Sequence, residues 1–281
     1  MNRTPLASAS LAPSASRTRR RDGVAALLPA PYAVKLAGNA QEFRAALRLR
    51  YEVFNLEMQE GLTSSHASGH DFDRFDAVVD HIIVTCMYSK RVVGTYRVQT
   101  GTVAARNIGY YSEQEFDFRP YGPLRRQLLE LGRACIHHEH RNTQVLMLLW
   151  KAIAQYGIQR GCRYLIGCSS LTSQDPGVGA AVYRKLEKFL APAELRTKPQ
   201  PNYRFDAECG PVLDRQQAAE DGGVSDGEEA KVPKLLRAYL TVGAQICGPP
   251  ALDAQFKTID FLTLLDLTRV SNGLFSRVMP A

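Results

Sequence analysis

The chain has 281 residues, of which 45% are hydrophobic and 22% charged, proportions that allow a sizeable buried core within one large domain. No apolar run approaches the roughly 20 residues needed to span a bilayer, and no nucleic-acid-binding motif is present. The formal net charge is +7, but Arg3 and the cluster Arg17, Arg19, Arg20 and Arg21 supply much of it; the mildly basic remainder suits an acidic partner, either a carrier protein or a phospholipid surface.

Residues 1–31 are rich in Ala, Ser and Pro, lack the apolar stretch and cleavage site of a secretory signal, and read as a disordered basic tail. Basic side chains near anionic lipid gain roughly 1 kcal/mol each, so an electrostatic tether is the alternative reading of this tail. Tyr32 to Leu36 alternates as a first strand. Asn39 is placed to cap a helix that carries Phe43, Ala46, Leu47, Arg50, Tyr51 and Phe54 at helical spacing. Ser64, Ser65, Ser68 and Gly69 mark a loop. Residues 81–88 and 91–99, joined by Ser89 and Lys90, predict an antiparallel hairpin. The aromatics Tyr110, Tyr111, Phe116 and Phe118 make 101–122 a segment that packs against the core.

Residues 128–136 predict a further strand, 144–160 a helix, 163–169 a short buried strand and 178–190 another helix. Residues 206–229 are acidic and poor in large apolar side chains, so the domain expected over 32–281 carries an exposed acidic loop near 206–232. A helix over 233–239 and strands over 244–246 and 260–266 follow, with a turn forced by Gly248-Pro249-Pro250. The order of elements indicates an α/β domain with a mixed sheet.

Cys86, Cys135, Cys162, Cys168, Cys209 and Cys247 form no C-x-x-C pair and fit reduced thiols better than a disulfide or zinc framework. His137-His138-Glu139-His140 lacks the helical spacing of a metal motif, and strand neighbours would alternate sides, so no metal site is expected. No histidine is placed to complete a triad with Ser169, Ser170 or Cys168.

Polar residues interrupt otherwise apolar elements at four places: Arg50 with Phe54, the run Asp71-Phe72-Asp73-Arg74-Phe75-Asp76, Arg97, and Glu130-Leu131-Gly132-Arg133. Taken singly, each reads as an ordinary surface pair or turn. Glu130 and Arg133 are three apart, so in a regular strand they face opposite sides; sharing one site demands a bulge at Gly132.

In this order, Arg50-Tyr51-Glu52-Val53-Phe54, Asp73 with Asp76, Arg97 in Gly94-Thr95-Tyr96-Arg97, and Glu130-Leu131-Gly132-Arg133 resemble the motifs of acyl-homoserine-lactone synthases, members of the GNAT acyltransferase superfamily. The chain is more similar still to the ornithine-lipid N-acyltransferases, a group also labelled hemolysins, and to N-acyl amino acid synthases. Asp80-His81, Glu130 to Cys135, Arg141, Leu148-Leu149-Trp150, the run from Ile246 to Asp253, Phe256 and Asp260-Phe261 carry that likeness, over roughly residues 32 to 267. The resemblance implies a GNAT-like fold with a central mixed, mostly antiparallel sheet flanked by helices. It also implies transfer of a fatty acyl or 3-hydroxyacyl group from acyl carrier protein to the amine of an amino acid such as ornithine.

The resemblance places Glu130 and Arg133 at the chemistry. Arg50, Phe54, Asp73, Asp76, Arg97 and Arg141 are then expected to bind substrate. It implies no bound cofactor or metal, a phosphopantetheine thioester as donor with acyl-CoA as the alternative, and acyl carrier protein and an amino acid as partners. A cytoplasmic location follows, with peripheral contact at the inner face of the membrane. Two departures refine this. The signal synthases carry a Trp soon after their first-motif Phe where this chain has Leu56, Glu57 and Met58, which argues against a homoserine-lactone product. The expected phosphate-binding stretch Arg141-Asn142-Thr143-Gln144-Val145 has no glycine, which favours carrier protein over acetyl-CoA. The competing functions are a homoserine-lactone-like signal synthase and a non-enzymatic membrane-active, lipid-binding protein; lipid analysis separates them.

Overall fold

The computed structural model describes residues 30–205 and 231–270; the expected basic tail and residues 206–230 of the expected acidic loop lie outside them. The chain begins with strand β1 (Tyr32–Leu36) and helix α1 (Ala40–Tyr51). Asn39 caps α1, its side-chain oxygen accepting from the amides of Gln41 and Glu42 at 3.0 Å each. The helix runs on into a π-helical turn, Glu52–Glu57, and one short turn, α2 (Ser65–Ser68), follows in the segment expected to be a loop. The hairpin is β2 (Asp80–Cys86) and β3 (Val92–Thr100). The aromatic segment holds two short helices, α3 (Gly101–Arg106) and α4 (Ser112–Glu115), and a 3-10 stretch, Arg119–Gln127. As expected it packs inward: Tyr110, Phe116, Phe118 and Tyr121 are buried together against Leu128 and Ile166.

Next come β4 (Leu128–Ile136), α5 (Thr143–Gln159), β5 (Tyr164–Leu171) and α6 (Pro176–Leu186). The last described elements are α7 (Lys234–Thr241), β6 (Gln245–Ile246), β7 (Ala251–Asp253) and β8 (Thr258–Asp266). β7, a three-residue strand after the double proline, is too short to leave a periodic signal in the sequence. The eight strands form one sheet in the order β1-β2-β3-β4-β5-β8-β6, with β7 also on β8. Every neighbouring pair is antiparallel except β4 and β5. The sheet is therefore mixed and mostly antiparallel, with helices on it, as the GNAT-like expectation required.

The two sheet faces have different contents. Ile82, Val84, Tyr96, Val98 and Leu129 point to one face and pack on Val145, Leu149, Trp150 and Ile153 of α5. The other face receives α1 and the aromatic segment, and there β3 turns its polar residues Thr95, Arg97 and Gln99 inward, all buried.

β4 and β5 pair over only three positions, Leu128 to Glu130 against Tyr164 to Ile166. β4 then runs on to Ile136 and β5 to Leu171 without further pairing, so the two strands part. The parting begins at Gly167, where an added Cβ would lie 2.2 Å from the carbonyl oxygen of Leu131. Only a residue without a side chain lets the two backbones stay this close as they begin to part. Gly167→Ala is expected to lower stability by about 2 kcal/mol through overpacking, with a widened and less active cleft. Urea unfolding of the variant, with activity measured alongside, checks this.

Candidate active site

The parting of β4 and β5 opens a cavity of about 1010 Å³. Its walls come from both faces of the sheet. Leu146, Trp150 and Ile153 of α5 and Leu235, Ala238 and Tyr239 of α7 line an apolar half. Arg97, Tyr111, Glu130, Arg133, Asp253 and Asp260 line a polar half on the face covered by α1. The cavity thus passes through the sheet, with Glu130 to Ile136 along its edge.

Glu130 and Arg133 do face the same space, because β4 is bulged. Arg97 pairs with Gly132 and Thr95 with Cys135, so Tyr96 alone opposes both Arg133 and Ala134. The extra residue sits one place beyond Gly132, and Arg133 itself takes the left-handed conformation, φ 49°. A bulky side chain at positive φ is costly. It persists here because the guanidinium is held from every side: it lies 4.0 Å over the Phe256 ring and 4.9 Å over Tyr111, and donates to Asp73 at 2.9 Å.

Arg50, Asp71, Asp73, Asp76, Arg97 and Arg133 form one interleaved ionic network. Arg50 donates to Asp71 at 2.7 Å and to both oxygens of Asp76 at 2.6 and 3.0 Å. Arg97 donates to both oxygens of Asp73 at 2.7 Å and reaches Asp76 at 3.4 Å. Burial alone would raise the carboxyl groups of Asp73 and Asp76, but Arg97 with Arg133 holds Asp73, and Arg50 with Arg97 holds Asp76, below the usual carboxylate range. His81 backs the network, its ring kept from protonating by burial despite Asp76 at 3.7 Å.

Of the expected substrate-binding residues, Phe54, Arg97 and Arg141 line the cavity. Arg50 and Asp76 do not: Arg50 is 0% exposed and lies beneath Arg97 and Arg133, shut away from any substrate. Asp73 is likewise turned to the two arginines. Arg50, Asp73 and Asp76 therefore stand behind Arg97 and Arg133 and not on the cavity wall. Arg141 is engaged at the rim, donating to Glu57 at 2.7 Å and to the Ile136 carbonyl at 3.0 Å.

Glu130 is buried at the centre of the cavity wall. Its two carboxylate oxygens accept from the amides of Tyr111, 2.9 Å, and Ser112, 2.7 Å. Burial raises its carboxyl group above the ordinary value, and those amides only partly offset the effect. A carboxylate so placed is aimed and still basic enough to take a proton.

Sequence reading missed several groups. Tyr111 was read only as packing, yet its ring faces Arg97 and Arg133 and its hydroxyl donates to Asp253 at 3.4 Å. Asp260 is the one carboxylate inside the run 259–265, a signal that was there to be used. Glu60 and Thr258 also reach the cavity. The strand argument against His137, Glu139 and His140 fails locally: β4 ends at Ile136, a 3-10 turn follows, and their ligand atoms come within 4.8 Å of one another on the surface. Cys86, Cys135, Cys162, Cys168 and Cys247 are free thiols, and all but Cys168 are buried.

With fold and site in hand, comparison with known proteins is specific. Residues 49–151 match the Acetyltransferase (GNAT) domain model. The L-ornithine N(alpha)-acyltransferase of Rhodobacter capsulatus is 32% identical over 256 residues, 88% of this chain and 94% of that one. Its namesake in Agrobacterium fabrum is 29% identical over 86% of this chain and 83% of its own. Among solved structures, the acyl-homoserine lactone synthase BjaI, with SAM and isopentyl-CoA, gives a TM-score of 0.51 at 13% identity, covering 89% of this chain and 91% of that chain. FeeM, an N-acyl amino acid synthase from uncultured soil microbes, gives 0.50 at 11% identity, covering 89% and 98%. The likeness to these structures is one of fold. The chain belongs to the L-ornithine N(alpha)-acyltransferase family and is an acyltransferase with a GNAT fold. No helix among the described residues is long and apolar enough to cross a membrane.

The network yields a stability test. Asp76→Asn leaves Arg50 partly unpaired in the interior and is expected to cost about 3 kcal/mol at pH 7. Because the folded carboxyl of Asp76 is depressed, its contribution is complete above the ordinary carboxylate value and is lost as pH falls through the folded one. The gap between wild type and variant in urea unfolding should therefore hold from pH 7 to pH 5 and close only under stronger acid.

Proposed function

We propose that this chain transfers a fatty acyl group from a carrier thioester to the α-amine of an amino acid, with ornithine as the acceptor. The observation that carries the reading is a buried carboxylate, Glu130, at the junction of an apolar chamber and an arginine-lined one, where the sheet is split. The apolar chamber between α5 and α7 suits an acyl chain, and the split gives the thioester a path between the strands. The family relatives are named for L-ornithine, which supports that acceptor.

Aminolysis of a thioester needs a neutral amine held against the carbonyl carbon, and no protein nucleophile. Glu130 accepts the proton as the amine nitrogen bonds to that carbon. The oxyanion forms beside the backbone of β4 beyond Glu130, which has no strand partner on its β5 side. Collapse breaks the carbon–sulfur bond, leaves the amide, and returns a proton to the departing thiolate. Arg97 and Arg133 present guanidinium groups to the amino-acid carboxylate. Arg97 Nη2 is buried without a hydrogen-bond partner, which supports a place for such a group. Arg50, Asp73 and Asp76 hold these two arginines in place.

We assign the donor to acyl carrier protein, with acyl-CoA as the alternative, because the mildly basic domain suits an acidic protein and the α5 start lacks the glycines of a nucleotide-phosphate loop. The reaction is placed in the cytoplasm, at the inner face of the membrane where a lipid product would collect. Purified protein supplied with L-ornithine should form N-acylornithine faster from acyl carrier protein than from acyl-CoA at equal concentration, followed by mass spectrometry. No amide from either donor would refute the reading.

Glu130→Gln should lower kcat by about 100-fold or more with little change in donor KM. Since burial raises the Glu130 carboxyl, the acid side of the kcat/KM profile should fall at a pH above the ordinary carboxylate value of 4.5. Activity in Glu130→Gln within a few-fold of wild type would remove Glu130 from the role of base.

A further inference from the structure

The polar half of the cavity ends in a second group of titratable side chains that aminolysis does not use. Asp260 on β8, Cys168 on β5 and Glu115 at the end of α4 bring two carboxylate oxygens and a sulfur within 4.8 Å of one another. Asp260 is 3% exposed and Glu115 0%, yet Asp260 lines the cavity. Asp260 Oδ1 and Glu115 Oε1, with Glu60 Oε1 and Thr258 Oγ1 along the same wall, lack a well-formed hydrogen bond, and the neighbours that interact with Asp260 are Ser170, Thr258 and Glu115. Three of these four atoms are carboxylate acceptors, and leaving a buried acceptor unpaired costs about 1–3 kcal/mol. At the arginine end the unpaired atoms include the donors Arg97 Nη2 and Arg133 Nε, together with the acceptors Gln99 Oε1 and Asp71 Oδ1. The charged groups that line the polar chamber are therefore arginines at one end and carboxylates at the other, with Tyr111 between them.

We propose, resting on the amino-acid N-acylation assigned to this cavity, that Asp260, backed by Glu115, is the subsite for the distal ammonium group of a diamino-acid acceptor. An ammonium brings three donors to a cluster short of donors, and one positive charge to a buried carboxylate pair. The spacing agrees. Ser112, whose amide holds Glu130, and Glu115 are the two ends of one helical turn, about 5 Å along the axis. The two nitrogens of ornithine are about 6 Å apart in an extended chain by standard bond lengths. With the α-amine at Glu130, a chain of that length is on the scale of the backbone step from Ser112 to Glu115.

Burial, reinforced by Asp253, pushes the Asp260 carboxyl up to about 6, and burial with Asp260 raises Glu115 well above the usual range. Burial of the pair thus favours its protonated form, and an ammonium beside it favours the charged one. Cys168 donates to Glu115 at 3.3 Å, and burial keeps its thiol protonated, which disfavours a metal ion in the same place. The subsite also fixes regiochemistry: a distal amine held protonated by two carboxylates has no lone pair with which to attack the thioester, so only the α-nitrogen reacts.

The test compares L-ornithine with L-norvaline, which keeps the α-amine and chain length but ends in a methyl group. The full chain, the same acyl donor and chelator-treated buffers are used throughout. Wild type should favour ornithine over norvaline by at least about 100-fold in kcat/KM, since a site of buried polar groups rejects the analogue that leaves them unpaired. Asp260→Asn should raise KM for ornithine by about 10-fold or more and shrink the preference for ornithine over norvaline by a similar factor. Glu115→Gln should do the same more weakly, and the Asp260→Asn product should include acylation at the distal nitrogen by tandem mass spectrometry. Equal use of both amino acids by wild type would overturn the subsite while leaving N-acylation intact. So would an equal loss with both substrates in Asp260→Asn, or ornithine selectivity restored only by added metal. Acylation of neither amino acid would defeat the underlying reading itself.

Discussion

β4 and β5 hydrogen-bond over Leu128 to Glu130 and Tyr164 to Ile166, and then separate. A sheet that stayed paired would wall off its two faces from each other, and here each face supplies what the other lacks. The face packed on α5 is apolar and roomy towards α7, whereas the face packed on α1 carries buried charge. The gap puts the two in contact along one strand edge, and Glu130 stands at the last paired position, where the edge becomes free. Glycine at 167 sets how sharply the strands diverge. The reactive position is therefore specified by strand geometry before any side-chain chemistry is considered.

Charge in the polar chamber is arranged by pairing rather than by exposure. Burying three arginines is feasible because three aspartates from one short loop interleave with them. Arg50, wholly enclosed, anchors the loop to α1, and Arg97 and Arg133 are carried at the surface of that assembly, facing the cavity. Their rings of contact, Phe75, Tyr111 and Phe256, fix the guanidinium planes from the sides. Cations held in this way need not reorganise when an anion arrives, which is what electrostatic preorganisation requires.

Much of this was legible in the sequence, and the limits have physical causes. The strand over 128–136, the hairpin, the Asn39 cap and the two long helices follow from periodicity and capping, which are local. The need for a bulge between Glu130 and Arg133 was also readable, from parity alone. What periodicity does not carry is depth. Arg50 looks like any helix-face arginine, and nothing in its neighbours says that two carboxylates from residues 71 to 76 will enclose it. Nor does the sequence tell that Glu115 and Asp260, 145 positions apart by subtraction, converge. The Ser-rich stretch before Gly69 and the residues after Ile136 were misjudged for a smaller reason: single turns of helix are too short for a period to register.

The bulge at Arg133 has an implication for how chains of this kind can diverge. Upstream of it, Leu128, Glu130 and Gly132 share a face; downstream, Arg133 and Cys135 continue that face with inverted numbering, Cys135 packing on Leu49 of α1 and Val53 of the π-helical turn. The strand is thus a parity counter, and its reading frame is set by one inserted residue. Regularising the strand with every residue kept would present Ala134 and Ile136 to the aspartates and bury Arg133 among the apolar side chains of α5, whereas dropping the extra residue together with the bulge leaves Glu130 and Cys135 on their face. One further inserted residue, which a surface loop would absorb without consequence, would here carry every later side chain of the strand to the opposite face, so the length of this stretch is tied to its bulge.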